Sequence, residues 1–335
     1  MTDPEELRSI MLAKIEGELL DSATAIRQGP AVGMYELIAH HMGWDQGKAS
    51  GGKRIRPLLT LLCCAAAGGE WQLALPAAAA VEWLHNFSLI HDDIEDQSST
   101  RRGRETLWAK AGTALAINTG DALFALSRLS IQDVHDGAIR SDRALKMLHL
   151  LDRTALSLCE GQHLDMRFES ENEVTPAEYM VMIGGKTSAL IACACEMGAM
   201  LSPASDSQQA CYREFGRNLG LAFQMQDDIL GIWGEPEKTG KPSGDDLRIH
   251  KKTLPVILGL ERSATFRAAW QKPPGHFDLK ELISALEEAG IQQMVQSMAD
   301  EYSRTALLAL EDASPEAPAE NLLRNLLGSL LRREN

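Results

Sequence analysis

An all-α protein is what the sequence predicts, and three observations predict it. Apolar residues recur at three- and four-residue steps along most of the chain. The long apolar stretches are rich in Ala, Leu and Met and show no alternating pattern bounded by hairpin turns. No repeat of about 20 to 50 residues and no long biased linker divides the chain, so a single helical bundle forming one domain, residues 1–335, is the economical architecture.

From Pro4 to about Gln28, Leu7, Ile10, Met11, Ile15, Leu19 and Ile26 share a helical period, and a second helix is expected from Pro30. The Gly-rich stretch GWDQGKASGGKRIRP reads as a loop that delivers Lys53, Arg54 and Arg56 just before Pro57 opens the apolar LLTLLCCAAA. A helix follows from Pro76 through Asp96, and further helices are expected at 112–134, 141–165, 176–201 and 208–234. Loops are expected at Gly234–Lys252, Gln271–His276 and Ala313–Pro318.

Composition narrows the function. The 335 residues are 44% hydrophobic, enough for a large core, and 33 Lys plus Arg stand against 47 Asp plus Glu, a net charge of -14. That balance argues against nucleic acid and against an anionic membrane surface as partners, so any anion must meet a local basic site. Cys63, Cys64, Cys159, Cys193, Cys195 and Cys211 lack metal-ligand spacing and read as reduced packing residues. The acidic MTDPEELRSIM is unlike a secretory leader, and the sequence reads as having no apolar run that approaches the roughly 20 residues of a membrane span, so a cytoplasmic protein without stable membrane insertion is expected.

The stretch HDDIEDQSSTRRGR places Asp92, Asp93, Glu95 and Asp96 just before Arg101, Arg102 and Arg104. On a helix, His85, Asp92 and Asp96 lie within roughly 40° of one another while Asp93 points to one side. Two carboxylates four residues apart suit a hard divalent cation such as Mg²⁺. A solvated acidic helix end would look the same. A second acid pair, Asp227 and Asp228 in FQMQDDILG, tips the balance, because burying two such pairs without cations incurs repulsion and desolvation. Mg²⁺ and a polyphosphate would satisfy both clusters, and Lys53, Arg56, Arg101, Arg102, Lys186, Lys241 and Lys251 sit beside turns or acids where phosphate oxygens could be met.

Together GGKRIRP, HNFSLIHDDIED, RRG, EGQHLD, GGKTSAL, FQMQDD, GKPSGDDLR and KKTLP resemble, in order and spacing, the trans-prenyltransferases of the polyprenyl synthetase family. The resemblance runs from about Gly51 to Pro255 and implies a single helical bundle around a deep central cavity, with the acidic helices at its mouth. It implies Asp92, Asp96 and Asp227 as metal ligands for about three Mg²⁺ ions, with Asp93 and Asp228 in catalytic support. Arg101, Lys186, Thr187, Gln224, Lys241 and Lys251 match positions that hold an allylic diphosphate; Lys53, Arg56, His85 and Arg102 match the isopentenyl diphosphate site. Gly184 and Gly185 would kink a helix and turn carbonyl dipoles, with Thr187 and Gln224, toward a carbocation. The implied activity is a short-chain condensation, with geranylgeranyl or farnesyl diphosphate as product and a homodimer as the assembly.

Two departures and two competitors remain. The last position of the second motif is Gly231, so one outer carboxylate is missing, and Asp246 in GDDLR matches another acidic position. Helical geometry favours Ser88 as the residue lining the product channel, whereas the resemblance points to Phe87, an aromatic five residues before the first Asp. A class I terpene cyclase would share the acidic motifs but needs no second diphosphate site, and a non-catalytic subunit of a heteromeric synthase would not need intact motifs.

Overall fold

The computed structural model describes residues 4–46, 52–133, 141–235, 243–272 and 278–332. The helices are α1 (Pro4–Ser22), α2 (Thr24–Gln28), α3 (Val32–Met42), α4 (Ile55–Ala66), α5 (Leu75–Glu95), α6 (Leu107–Ala111), α7 (Thr113–Asp133), α8 (Ser141–Ser170) and α9 (Pro176–Ile183). They continue as α10 (Ala189–Met200), α11 (Asp206–Trp233), α12 (Asp245–Arg248), α13 (Leu254–Arg262), α14 (Ala264–Trp270), α15 (Leu279–Glu288), α16 (Ile291–Asp312) and α17 (Ala319–Arg332). The fold is all-α. Strand is confined, among the described residues, to one antiparallel hairpin in which β1 (Thr100–Arg101) meets β2 (Arg104–Glu105), with Arg101 opposite Arg104.

Contacts gather in two compact units: Met1–Leu156 with Leu190–Arg213 and Glu311–Leu323, and Ser157–Ala189 with Glu214–Leu310 and Arg324–Asn335. In the first unit α5 packs chiefly on α7 and α4. Its early turns bury the consecutive small residues Ala77 to Ala80, and Trp83 and Leu84 follow, fully buried. The same helix therefore spends its first half on packing and its last turn on charge. The second unit closes its core around Phe168, Tyr179, Met225, Ile229, Leu254 and Phe266. Its helix α9 starts on a capping box, in which Thr175 and Glu178 satisfy each other's backbone N–H, with Pro176 at the first helical position.

Three expectations change. The helix expected to run from Pro4 to Gln28 breaks at Ala23, where the hydroxyls of Ser22 and Thr24 bond back to Leu19 and Leu20 carbonyls and compete with the backbone ladder. The segments Trp71–Glu95 and Pro176–Met200 are long and apolar enough by composition to cross a membrane, contrary to the sequence reading; 67% and 61% of their apolar windows are buried inside the protein, as core helices are. All six cysteines are free, but only four are buried: Cys159 is exposed and Cys211 half-exposed.

Arg54, expected on the loop beside Arg56, turns inward instead. Its left-handed backbone (φ 48°) sends the guanidinium to Glu16 at 2.5 Å and to the buried Glu82 at 2.8 Å. Glu82 also accepts from the side chain of Asn86, so the network joins α1, α4 and α5. Replacing Arg54 with Met strands two carboxylates, one of them deeply buried, and is expected to cost about 3 kcal/mol. Urea denaturation reads this directly, and a loss under about 1 kcal/mol would show that the network is dispensable.

Candidate active site

The two acids that open the first motif part company on the last turn of α5. Asp92 is half-buried, Asp93 is 2% exposed, and Asp96 caps the helix in solvent. Asp93 Oδ1 accepts a 2.7 Å bond from Arg101 Nε. Burial pushes the Asp93 carboxyl up from its ordinary value even though Arg101 pulls the other way. The loop between them is fastened at Ser98, whose carbonyl accepts from the hydroxyl of Thr106 at 2.8 Å and the indole of Trp108 at 2.9 Å. Arg102 (φ 53°) and Gly103 (φ 72°) then take the two left-handed positions of a tight hairpin turn. That turn carries the Arg102 guanidinium against Gly52.

The basic residues expected to bind one diphosphate gather in this same unit. Arg56 Nη1 lies 3.2 Å from His85 Nε2; with Arg56 donating, the imidazole accepts and is neutral. Burial holds His85 well below the usual histidine range, and Arg56, Arg102 and Arg101 add to it. Burial also lowers Arg56, with Arg102 contributing against the opposing pull of Glu82. Lys53 stands exposed at the rim of the loop. A cleft of about 430 Å³, open to solvent, is lined by His41, Asp93, Arg101, Arg102, Arg104 and Thr106. Arg104 is neutralised by Asp45 at 2.6 Å, and Asp45 is held low by His40 and Arg104 against a counteracting desolvation. The remaining cations repel one another, an arrangement that an anion would relieve.

The second unit builds a different scaffold around Lys186. Gly184–Ser188 forms a π turn between α9 and α10, where the sequence suggested a kink. Glycines make this crossing possible: a side chain at Gly185 would meet the Ser157 carbonyl at 2.6 Å, and one at Gly161 would collide with the backbone of Lys186. Lys186 Nζ bonds Asp165 Oδ2 at 2.5 Å. Burial works to raise Asp165, but Lys251 and Lys186 outweigh it and hold the carboxyl low. Thr187 donates to Gln224 Oε1 at 2.8 Å, and Gln224 Nε2 donates to Asp228 Oδ1 at 3.0 Å.

Asp228 is thus an anchor. Its other oxygen accepts from Tyr179 at 2.5 Å and from the Leu254 N–H at 3.2 Å, and burial raises its pKa to about 6. Asp227, one residue earlier on α11, is half-buried on a different face. The missing side chain at Gly231 has a spatial counterpart, since a Cβ there would collide with Asp246 Oδ2. The acid absent from the motif is supplied to the same place by α12. Lys251 is exposed, and Lys241 lies outside the described residues.

The residues present fit Mg²⁺. Asp92 and Asp96 sit one helical turn apart and Asp227 stands with Asp246 nearby on its own unit, all oxygen donors. Among the described residues no cluster of three or more His, Cys, Asp or Glu forms a closed cage. Mg²⁺ is commonly held by one or two carboxylates plus substrate phosphates, which matches such sparse sites. Sequence reasoning missed Asp165, Tyr179 and the inward Arg54. Asp165 had a signal, its place in EGQHLD; Tyr179 had none. Phe87 packs in tilted ring contacts against His91 at 4.7 Å and Phe124 of α7 at 5.3 Å, while the Ser88 hydroxyl bonds back to the His85 carbonyl.

A family model described as polyprenyl synthetase matches residues 44–285. A geranylgeranyl diphosphate synthase of Mycobacterium tuberculosis is 40% identical, over 83% of this chain and 81% of its own. A (2E,6E)-farnesyl diphosphate synthase of Mycobacterium bovis is 42% identical over 67% of this chain, which spans 62% of that relative. Among solved structures, the geranylgeranyl pyrophosphate synthetase of Pyrococcus horikoshii superposes with a TM-score of 0.88 at 32% identity, covering 98% of this chain and 99% of that one.

The buried histidine sets a pH dependence. His41 Nε2 pairs with Asn86 Oδ1 at 3.1 Å, and burial, then Arg101 and Arg102, lower its pKa to about 3. An unfolded histidine titrates near 6.5, so this contribution is intact above that pH and is lost as the pH falls toward the folded value. Acidification from pH 7.5 to 5 is expected to cost on the order of 1 kcal/mol through His41, with His85 acting in the same direction. A His41→Gln variant should show a shallower loss in urea midpoint over that range; an unchanged slope would remove His41 from the account.

Proposed function

We propose, from the premise that this chain belongs to the polyprenyl synthetase family, that it condenses isopentenyl diphosphate with an allylic diphosphate. It is a prenyltransferase of the short-chain class, and geranylgeranyl diphosphate is the proposed product, with farnesyl diphosphate the nearest competitor. The observation that carries the reading is the cationic group of Arg56, Arg101 and Arg102 around a neutral His85, on the same unit as Asp92 and Asp96. A cyclase has no use for a second basic diphosphate site beside its acidic motif. Two further names support the class: geranylgeranyl diphosphate synthases of Methanosarcina mazei and Sulfolobus acidocaldarius are 36% and 34% identical.

Asp92, Asp96 and Asp227 would hold Mg²⁺, about three ions in all, with Asp246 standing in for the acid absent at 231. Bound there, the cations would offset negative charge developing on the leaving diphosphate. Lys186, positioned by Asp165, and Arg101, positioned by Asp93, bind the allylic diphosphate with Lys251 and Lys241. As its C–O bond breaks, the hydroxyl of Thr187 on the π turn and the amide of Gln224 on α11, bonded to each other, turn dipoles toward the allylic cation. Lys53, Arg56, His85 and Arg102 hold isopentenyl diphosphate so that its double bond attacks that cation; a proton then leaves to the released diphosphate.

The proposed assembly is a cytoplasmic homodimer. Leu115, Ile117, Leu129, Leu145 and Leu156 lie exposed on α7 and α8 of the first unit, large apolar side chains that a second copy would cover. Incubating the protein with Mg²⁺, isopentenyl diphosphate and a labelled allylic primer tests the activity. Elongated diphosphates support it, cyclised hydrocarbon supports a cyclase, and no turnover without a partner supports a regulatory subunit.

Asp92→Asn and Asp227→Asn are each expected to lower kcat by two orders of magnitude or more with the fold intact, because the lost charge acts mainly on the ionising state. Near-normal turnover of both at limiting Mg²⁺ would overturn the ligand assignment. Phe87→Ala is expected to lengthen the product by one or more prenyl units, since it removes the ring wedged against His91 and Phe124. Chromatography of dephosphorylated products decides this, and an unchanged length distribution would make Phe87 a packing residue only.

A further inference from the structure

Among the described residues Gln162 is the side chain that leaves two buried polar atoms unmade, where Thr253 and Tyr212 each leave a single hydroxyl. It is 8% exposed, and neither its amide nitrogen nor its amide oxygen has a hydrogen-bond partner in the protein. Gln224 in the same unit shows the opposite, with both amide ends engaged by Thr187 and Asp228. An amide buried without partners gives up its hydrogen bonds to water and gains none in return. A helix position that tolerated Leu or Met would avoid that cost.

Its surroundings point to what the amide meets. Gln162 lies on α8 one residue after Gly161, which abuts the Lys186 backbone, and three residues before Asp165, which holds the Lys186 ammonium. At about 100° per residue, Gln162 falls roughly 60° from Asp165 and about 100° from Gly161, so the amide lies on the side of α8 nearer the acid that holds the Lys186 ammonium. A ligand bound at Lys186 is therefore within the neighbourhood of an amide that offers two N–H donors and one carbonyl acceptor.

We propose that Gln162 is a contact residue for the diphosphate held at Lys186. Its N–H donates to a phosphate oxygen, and its carbonyl accepts from water carried in with that anion. The inference rests on the diphosphate reading of Lys186 but concerns binding alone. It explains why α8 keeps a buried amide that the apo fold does not satisfy: the group is desolvated in advance, so less desolvation accompanies binding.

Two near-isosteric variants test it, Gln162→Met and Gln162→Glu, with inorganic diphosphate and Mg²⁺ as the probe. Binding is measured by calorimetry and by the diphosphate-induced rise in Tm, and helicity by circular dichroism confirms the fold. A loss of diphosphate affinity of more than three-fold in both variants is expected, with the Glu variant weaker because its carboxylate repels the anion. The apo Tm of the Met variant is expected to match or exceed that of the parent, since the unpaired amide is gone. KM for isopentenyl diphosphate should stay within two-fold while KM for the primer rises. Affinity within three-fold of the parent in either folded variant overturns the proposal. If the parent binds diphosphate through Gln162 yet elongates no primer, the contact stands and the proposed reaction falls; if the parent elongates primer and the variants bind normally, the reverse holds.

Discussion

A helix turns about 100° per residue, and the rest of the site depends on how that angle divides each acidic pair. Two adjacent carboxylates cannot share one environment without repelling each other, so one faces inward and the other outward. Asp93 and Asp228 face in, each 2% exposed, while Asp92 and Asp227 remain half-buried. The inward acid then acts as a bracket. Asp93 grips Arg101, and Asp228 collects Tyr179, Gln224 and the Leu254 N–H. Burial raises the Asp228 carboxyl to about 6, and the three donors that bracket it work against that rise.

The cations obey a matching rule. Arg54 is the deeply buried one, and it has two carboxylate partners, as a guanidinium in an apolar interior must. Arg56 is two residues away, on the first turn of α4, and its neighbour is an uncharged imidazole instead. A neutral partner orients an arginine without cancelling its charge, which leaves that charge for an anion. Lys186 lies between these cases. Asp165 fixes its position through a single bond, and an ammonium retains two further donors for phosphate oxygens.

Much of this was legible in the sequence, and the limits have physical causes. Periodicity located the long helices because their buried stripes are Ala- and Leu-rich, and the break at Ala23 escaped because it depends on two hydroxyls bonding backward. The motif set located Lys186, Thr187 and Gln224, which the structure joins in one unit. It did not separate Arg54 from Arg56, since a left-handed backbone at one residue redirects a side chain with no change in composition. The hairpin at RRGR leaves no trace in the sequence, because two residues per strand are too few to show alternation. Helical angle favoured Ser88 over Phe87 as a lining residue, but angle alone ignores the rings of His91 and Phe124 that surround Phe87.

Gly231 shows where reading a motif as a string of letters fails. Counted along the chain, the second acidic motif lacks its last carboxylate and looks weakened. Counted in space, it does not, because Asp246 enters the volume that a side chain at 231 would fill. The glycine and the distant acid are therefore one feature, and neither can change alone. An Asp at 231 would collide with Asp246 and set a second negative charge against it, so restoring the familiar pattern would damage the site. A carboxylate brought in on the short helix α12 also reaches the site from a separate backbone, and its position depends on the Ser243–Lys251 turns instead of the rigid frame of α11. Ser243 donates to the Ile232 carbonyl and the Lys251 N–H bonds the Asp246 carbonyl at 2.9 Å, which ties that turn back to α11 and to itself. The fold has exchanged one residue on a stiff helix for a hydrogen-bonded turn that must be in place before the acid is.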